Sequence, residues 1–230
     1  MSCDREMERM VPSREKESYS IQAVENALDV LEALSEGEDE VRISQLSEKL
    51  AMNKTSVFRL LATFENRGYV ERDPESGKYR LGLSAYETAQ KFLSKMGLLR
   101  HARPVMDDLA RRCNESVYLT LRHNHDVLFL DMVDVPQQVK IAPLSGKRYP
   151  LGTTAAGHVL LAFSNTPPES SAAAGPLLTI EQIMEIQRQG YRHDKETLGE
   201  GISSVAAPLL GKDGILHGAL CLVGPTYRLT

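Results

Sequence analysis

Residues 43–81 read ISQLSEKLAMNKTSVFRLLATFENRGYVERDPESGKYRL, and this stretch decides the fold of the N-terminal part. Ile43, Leu46 and Leu50 recur at helical spacing, with Ser44 placed to cap that helix ahead of Gln45 and Ser47-Glu48. A tight break at Ala51-Met52-Asn53 follows. Val57, Leu60, Leu61 and Phe64 then define one face of a second helix from Lys54 to Asn66, which Gly68 stops. Tyr69-Val70-Glu71-Arg72 reads as a short strand, Pro74-Glu75-Ser76-Gly77 as a turn and Lys78-Tyr79-Arg80-Leu81 as the returning strand. Upstream, Ile21, Val24, Ala27, Leu28, Leu31 and Leu34 mark another helix, which ends in the polar SEGEDE around Gly37. Three helices with a short turn between the last two, followed by a hairpin, predict a winged helix-turn-helix.

In that motif the first residues of the second core helix enter the major groove of DNA. Here they are Asn53, Lys54, Thr55 and Ser56, with Arg59 one turn on. Hydroxyls meet bases or phosphates, and lysine and arginine reach guanine edges or the backbone. The wing adds Arg72, Lys78 and Arg80, with Arg67 just beyond the helix. The chain's net charge of −4 does not favour nucleic acid by itself. The acids of this region, however, gather elsewhere: Glu25, Asp29 and Glu32 on the first helix, and Glu36, Glu38, Asp39 and Glu40 in the loop. The basic residues are left concentrated on the groove-facing side.

A helix from Ser84 to Met96 carries Tyr86, Ala89, Leu93 and Met96 on a narrow stripe that needs a partner. Its place between two units favours a dimer seam over packing on its own domain. Beyond Gly97 a helix over 98–113 precedes two alternating runs, Val117–Leu121 and Val127–Val133, around the turn His123-Asn124-His125-Asp126. Val139–Ala142 reads as a further strand. An apolar helix opens at Thr153–Gly157 and ends near Phe163, and SNTPPESSAAAGP over 164–176 is a loop by composition. A helix over Ile180–Gln189 closes at Gly190, and Ser204–Leu210 with Ile215–Val223 forms a hairpin about Lys212-Asp213-Gly214. The fold class is α+β throughout. The expected division is a disordered tail over 1–18, a winged helix over 19–82, a linker helix over 83–97 and a sensing domain over 98–230.

The length of 230 residues suits two modest domains, and 42% hydrophobic with 25% charged residues is ordinary for a soluble protein. No stretch is apolar enough for a membrane span, and the charged start lacks the core of a signal peptide. Cys3, Cys113 and Cys221 are isolated, which suggests neither a disulfide framework nor a zinc site. The expectation is a cytoplasmic protein with no cofactor and no membrane partner.

Several motifs in order carry a resemblance: AVENALDVLEAL, NKTSVFRLLATFENRGYVERD and GKYRLG in the first half, then SGKRYPLGTTAAGHVLLAF, RQGYRHDKETLGEGISSVAAPL and GALCLVGPTYRLT. From Tyr19 to its last residue the chain resembles the IclR family of transcriptional regulators. The resemblance implies a winged-helix domain, a linker helix used in dimerisation and a GAF-like α/β effector domain with an antiparallel sheet. It implies binding to double-stranded operator DNA as a homodimer or homotetramer, under control of small organic acids or aromatic compounds. Carried over by motif, the effector contacts are Ala155 and Ala156, Asp194, Ser204, Cys221 and Val223, with Ile141 a weaker match.

Physical chemistry supports part of this set. Small residues at a helix start leave backbone N–H groups open to a carboxylate. Ser204 adds a hydroxyl, and Asp194 accepts from a ligand hydroxyl or from its own loop. Relatives that sense very small polar acids tend to carry serines where Cys221 and Val223 stand, so a less polar floor favours a larger or aromatic acid. Cys221 and Val223 read equally well as plain core residues. Relatives also usually continue past GPTYRLT with a C-terminal helix, which this sequence does not contain.

Three other readings compete. Catalysis would need groups such as Cys113, Cys221, His158 and His217 to meet, and no nucleophile motif surrounds them; Cys113 is expected in the core. A metal-responsive regulator could use His123, His125 and Asp126, which equally suit a surface turn. In the third, the protein binds DNA without a ligand and its C-terminal half serves only oligomerisation.

Overall fold

A computed structural model describes residues 20–36, 39–164, 175 and 178–229. The tail expected over 1–18 and most of the loop expected over 164–176 lie outside the described residues. The chain divides into two compact units between Phe92 and Leu93.

The first unit contains α1 (Gln22–Glu36), α2 (Ile43–Lys49), α3 (Lys54–Asn66), β1 (Val70–Arg72), β2 (Tyr79–Leu81) and most of α4 (Leu83–Lys95). Val30, Ala33 and Leu34 of α1 bury against Leu46 of α2, Val57 and Leu61 of α3, and Val70 and Tyr79 of the hairpin. Three helices and a wing thus share one small core, as the apolar spacing predicts. The entry to α2 differs from expectation. Val41 bridges Tyr79, each donating its N–H to the other's carbonyl at 2.8 Å, so the chain leaves extended conformation at Arg42. Gln45 Oε1 accepts from the Arg42 N–H at 2.8 Å, and Ser44 sits inside the first turn and does not cap the helix.

No residue of α4 is fully buried among the described residues. Of its expected stripe, Tyr86 is 63% exposed and Leu93 half-buried; Leu83 and Phe92 are largely exposed too.

The second unit starts at Leu93 and adds α5 (Gly97–Cys113), β3 (Ser116–His123), β4 (Asp126–Val133), β5 (Arg148–Pro150), a 3-10 turn (Leu151–Thr153), α6 (Ala155–Ala162), α7 (Ile180–Gln189), β6 (Arg192–Lys195), β7 (Ile202–Leu210) and β8 (Leu216–Pro225). The strands form one antiparallel sheet in the order β5-β4-β3-β8-β7-β6. Strand alternation sorts β3 between two cores. Val117 and Leu119 pack with Ala102, Met106 and Ala110 of α5, whereas Tyr118 faces α6 with Val127 and Phe129. Covering both faces explains why β3 is buried from Ser116 to Thr120.

Two expectations fail in this unit. Val139–Ala142 is not a strand; β5 pairs with β4 instead, with Asp126 opposite Pro150. Pro136 and Pro143 bracket the failed segment, and prolines cannot donate to a ladder. Cys113 is exposed, not in the core. The buried stripe of α5 runs at four-residue spacing through Ala102, Met106 and Ala110, and its next position is the left-handed Asn114. Cys113 falls beside that line.

Candidate functional site

Two surfaces carry the candidate chemistry, one in each unit. On α3, Val57 and Leu61 face the core, while Lys54, Thr55, Phe58 and Arg59 are exposed. Asn53 caps the helix, its Oδ1 accepting from the Ser56 N–H at 2.8 Å. Its amide N–H groups stay available to a partner, and Ser56 is half-buried. The first acid of α3 is Glu65, in its last turn. The exposed N-terminal half is therefore polar and cationic, with one aromatic ring.

The wing is less freely cationic than its sequence suggests. Arg80 and Glu71 stand opposite each other on β2 and β1, and Arg80 Nε and Nη2 donate to Glu71 Oε2 at 3.2 and 3.1 Å. Glu40 lies 3.7 Å from the same guanidinium. Arg72 stacks over the Tyr79 ring at 5.6 Å, and Lys78 is half-buried. Exposed pairs of this kind contribute about 1 kcal/mol or less, so an external anion can compete for Arg80.

In the second unit the expected effector residues converge beneath α6. Thr154 caps α6, its Oγ1 accepting from the Gly157 N–H at 3.1 Å. The Ala155 N–H, expected to be open to a ligand anion, donates to Asp194 Oδ2 of β6. Ser204 Oγ donates to Asp194 Oδ1 at 2.6 Å from the neighbouring strand. The protein's own carboxylate thus occupies the positive end of the helix. Ala155, Ala156, Cys221 and Val223 are fully buried in one core, and Ile141 packs against it half-buried. Burial pushes the Cys221 thiol far above its ordinary range, the Asp194 charge adds to this, and a hydrogen bond with Ser204 opposes it. Such a thiol is not a nucleophile.

Three aromatic residues missing from the sequence reading belong to the same core. Phe129 meets Tyr118 edge-on at 5.4 Å and Tyr149 at 5.6 Å between ring centroids. Tyr118 stands opposite Cys221 across β3 and β8. Its hydroxyl faces the Leu144 backbone but makes no hydrogen bond of ordinary geometry, and burial raises its pKa. The alternation in Val117–Leu121 and Val127–Val133 puts both rings on one face, and that was the signal available. A separate cavity of about 380 Å³, lined by Leu98, His101, Ala102, Val105, Leu209, Leu210 and His217, lies on the α5 side of the sheet.

His158 on α6 holds the Gly152 carbonyl through Nε2 at 2.9 Å, and its buried Nδ1 has no partner. Burial lowers its pKa below the ordinary 6.5, and the Arg192 charge adds to this; the Gly152 carbonyl and Asp194 pull the other way. The unfolded chain therefore binds this proton more readily than the folded one. His158 should cost no stability above pH 6.5 and should destabilise the fold progressively as pH falls below it. Urea midpoints measured from pH 7.5 to 5 should fall less steeply for His158→Gln; parallel curves would refute this assignment.

The two cysteines weighed for catalysis sit in opposite settings. Cys113 is exposed and Cys221 buried. His123 and Asp126 flank a turn whose Asn124 is left-handed (φ 56°). Among the described residues no group of three His, Cys, Asp or Glu side chains is placed to hold a metal ion. No helix there is long and apolar enough to cross a membrane.

Comparison with known proteins agrees with this architecture. Residues 23–74 match the IclR helix-turn-helix domain, and residues 90–230 match the C-terminal domain of bacterial transcriptional regulator IclR. The regulator KdgR of Escherichia coli is 28% identical over 94% of this chain and 87% of its own length. The glycerol operon regulatory protein of Streptomyces coelicolor is 31% identical over 91% of this chain and 87% of its own. The solved IclR transcriptional regulator of Alicyclobacillus acidocaldarius superposes with a TM-score of 0.76 at 22% identity, covering 91% of this chain and 90% of that one. With a winged helix joined to an effector-type sheet domain, and with both family signatures in order along it, the chain belongs to the IclR family of transcriptional regulators.

Proposed function

We propose that this regulator binds operator DNA through α3 and the β1–β2 wing, and that a small organic acid, favoured here as an aromatic one, controls that binding from the core beneath α6. The observation that carries the DNA-binding surface is the division of α3. Its apolar side is buried in the unit, and its opposite side offers Lys54, Thr55 and Arg59 with no acid in the first two turns. Asn53, Ser56, Arg72, Lys78 and Arg80 flank it and take supporting roles. A homodimer or homotetramer fits the exposed apolar residues of α4, Leu83, Tyr86 and Phe92. This role puts the protein in the cytoplasm with the DNA.

The effector reading rests on Tyr118, whose fully buried hydroxyl beside Cys221 makes no hydrogen bond of ordinary geometry. A buried polar group without a hydrogen bond costs about 1–3 kcal/mol, which a ligand that supplies the bond recovers. Phe129, Tyr149, Cys221 and Val223 make the surroundings apolar, which suits an aromatic ring. Asp194 already fills the helix start, so a ligand carboxylate placed there would face like charge. The ligand's donor groups therefore turn toward Asp194 and its acid group away.

The test is fluorescence anisotropy with duplexes from the region upstream of the protein's own gene, with and without glyoxylate, pyruvate and benzoate. Arg59→Ala should weaken binding by about 1–3 kcal/mol, or roughly 5- to 150-fold, without changing the unfolding midpoint. Benzoate should shift affinity more than glyoxylate. Unchanged binding by the Arg59 variant refutes the surface, and tightest response to glyoxylate refutes the ligand class.

A further inference from the structure

Phe58 is the one aromatic residue in the exposed first half of α3, and about half of its surface (49%) faces solvent. It follows Lys54 by four residues and Thr55 by three, so the three side chains share a face one turn into the helix. Arg59 is its immediate neighbour, and Val57 on its other side points into the core. The unit's core closes through Val57, Leu60, Leu61 and Phe64 without Phe58.

An exposed apolar ring flanked around the helix by two cations suits one feature of the duplex. Of the groups in the major groove, only the C5-methyl of thymine is apolar, and it is read by apolar contact. Lys54 and Arg59 hold phosphates or guanine edges on either side, and the ring between them is left to exclude water from a methyl. Resting on the DNA-binding role of α3, we propose that Phe58 is a specificity-determining residue that selects a thymine in each half-site by packing on its C5-methyl group.

Burying one methyl is worth about a fourfold change in affinity. Replacing thymine by deoxyuridine removes that methyl and leaves the base pair intact, so the inference has a direct test. Duplexes enriched from a random library by the full chain are resynthesised with deoxyuridine at each thymine in turn. One thymine per half-site should weaken wild-type binding about fourfold on replacement. Phe58→Ala should bind the thymine duplex more weakly and be indifferent to that replacement. Phe58→Gln, which keeps part of the side-chain stem, should behave likewise, with thermal unfolding showing that both variants fold.

Thr55→Ser, which removes the Thr55 methyl from this face and keeps its hydroxyl, should keep the sensitivity. The inference is overturned if no thymine is sensitive, if the Phe58 variants keep the effect, or if Thr55→Ser abolishes it. If the wild-type chain enriches no duplex, the DNA-binding reading itself has failed, which is a different result from enrichment without a methyl effect.

Discussion

Asp194→Ala is expected to destabilise the effector unit by about 2–3 kcal/mol and to abolish its response to ligand. Asp194 is the only described side chain bonded to the first N–H of α6, and it also fixes Ser204 on the adjacent strand. Alanine strands the Ala155 N–H inside the core and removes a negative charge from the positive end of the helix. Asn keeps one acceptor oxygen without the charge, so Asp194→Asn should lose about half as much. Denaturant midpoints would measure both. A loss within about 0.5 kcal/mol for alanine, the range of an ordinary surface change, would show that the carboxylate does not organise the site.

Gly157→Ala should have a larger effect, and the competing terms have opposite signs. Alanine in a helix is favoured over glycine by about 1 kcal/mol, so propensity alone predicts stabilisation. A Cβ at residue 157, however, would lie 2.0 Å from the Leu151 carbonyl oxygen and 2.7 Å from its carbon. Those are backbone atoms of the 3-10 turn that leads into α6, and backbone cannot rotate away as a side chain can. Relief requires moving α6 off the sheet, which places the cost at about 3 kcal/mol or more. Gly97→Ala is the control, because nothing stands within 4 Å of its Cβ position and its backbone needs no left-handed angle. The expected result is a low yield of folded Gly157→Ala protein beside a normal Gly97→Ala; equal unfolding midpoints would refute the steric argument.

The parts of this fold that sequence made legible are those whose contacts are periodic and local. Val57, Leu60, Leu61 and Phe64 announce α3, and Gly68 ends it, because side chains three and four apart share a face. The alternation around His123-Asn124-His125-Asp126 announces the β3–β4 hairpin for the same reason. What stayed hidden depends on partners distant in sequence. Asp194 meets an N–H 39 residues away, and no spacing rule anticipates that. Val41 sets the start of α2 by bridging Tyr79, which displaced the expected Ser44 cap. Val139–Ala142 has strand-like residues but flanking prolines, and the edge of β4 went to Arg148–Pro150. Arg80 reads as a free cation until Glu71 is placed opposite it.

The order of the sheet has a consequence for how the molecule avoids aggregation. Its outermost strands are β5, only Arg148-Tyr149-Pro150, and β6, Arg192-His193-Asp194-Lys195. A sheet edge is a template for another chain's strand, and short length, proline and charge are what blunt it. One edge here ends in proline, and the other is built entirely from charged or titratable residues. The six described strands therefore discourage growth by addition of a seventh. β6 both supplies the carboxylate that organises the candidate site and keeps the sheet from templating amyloid-like pairing.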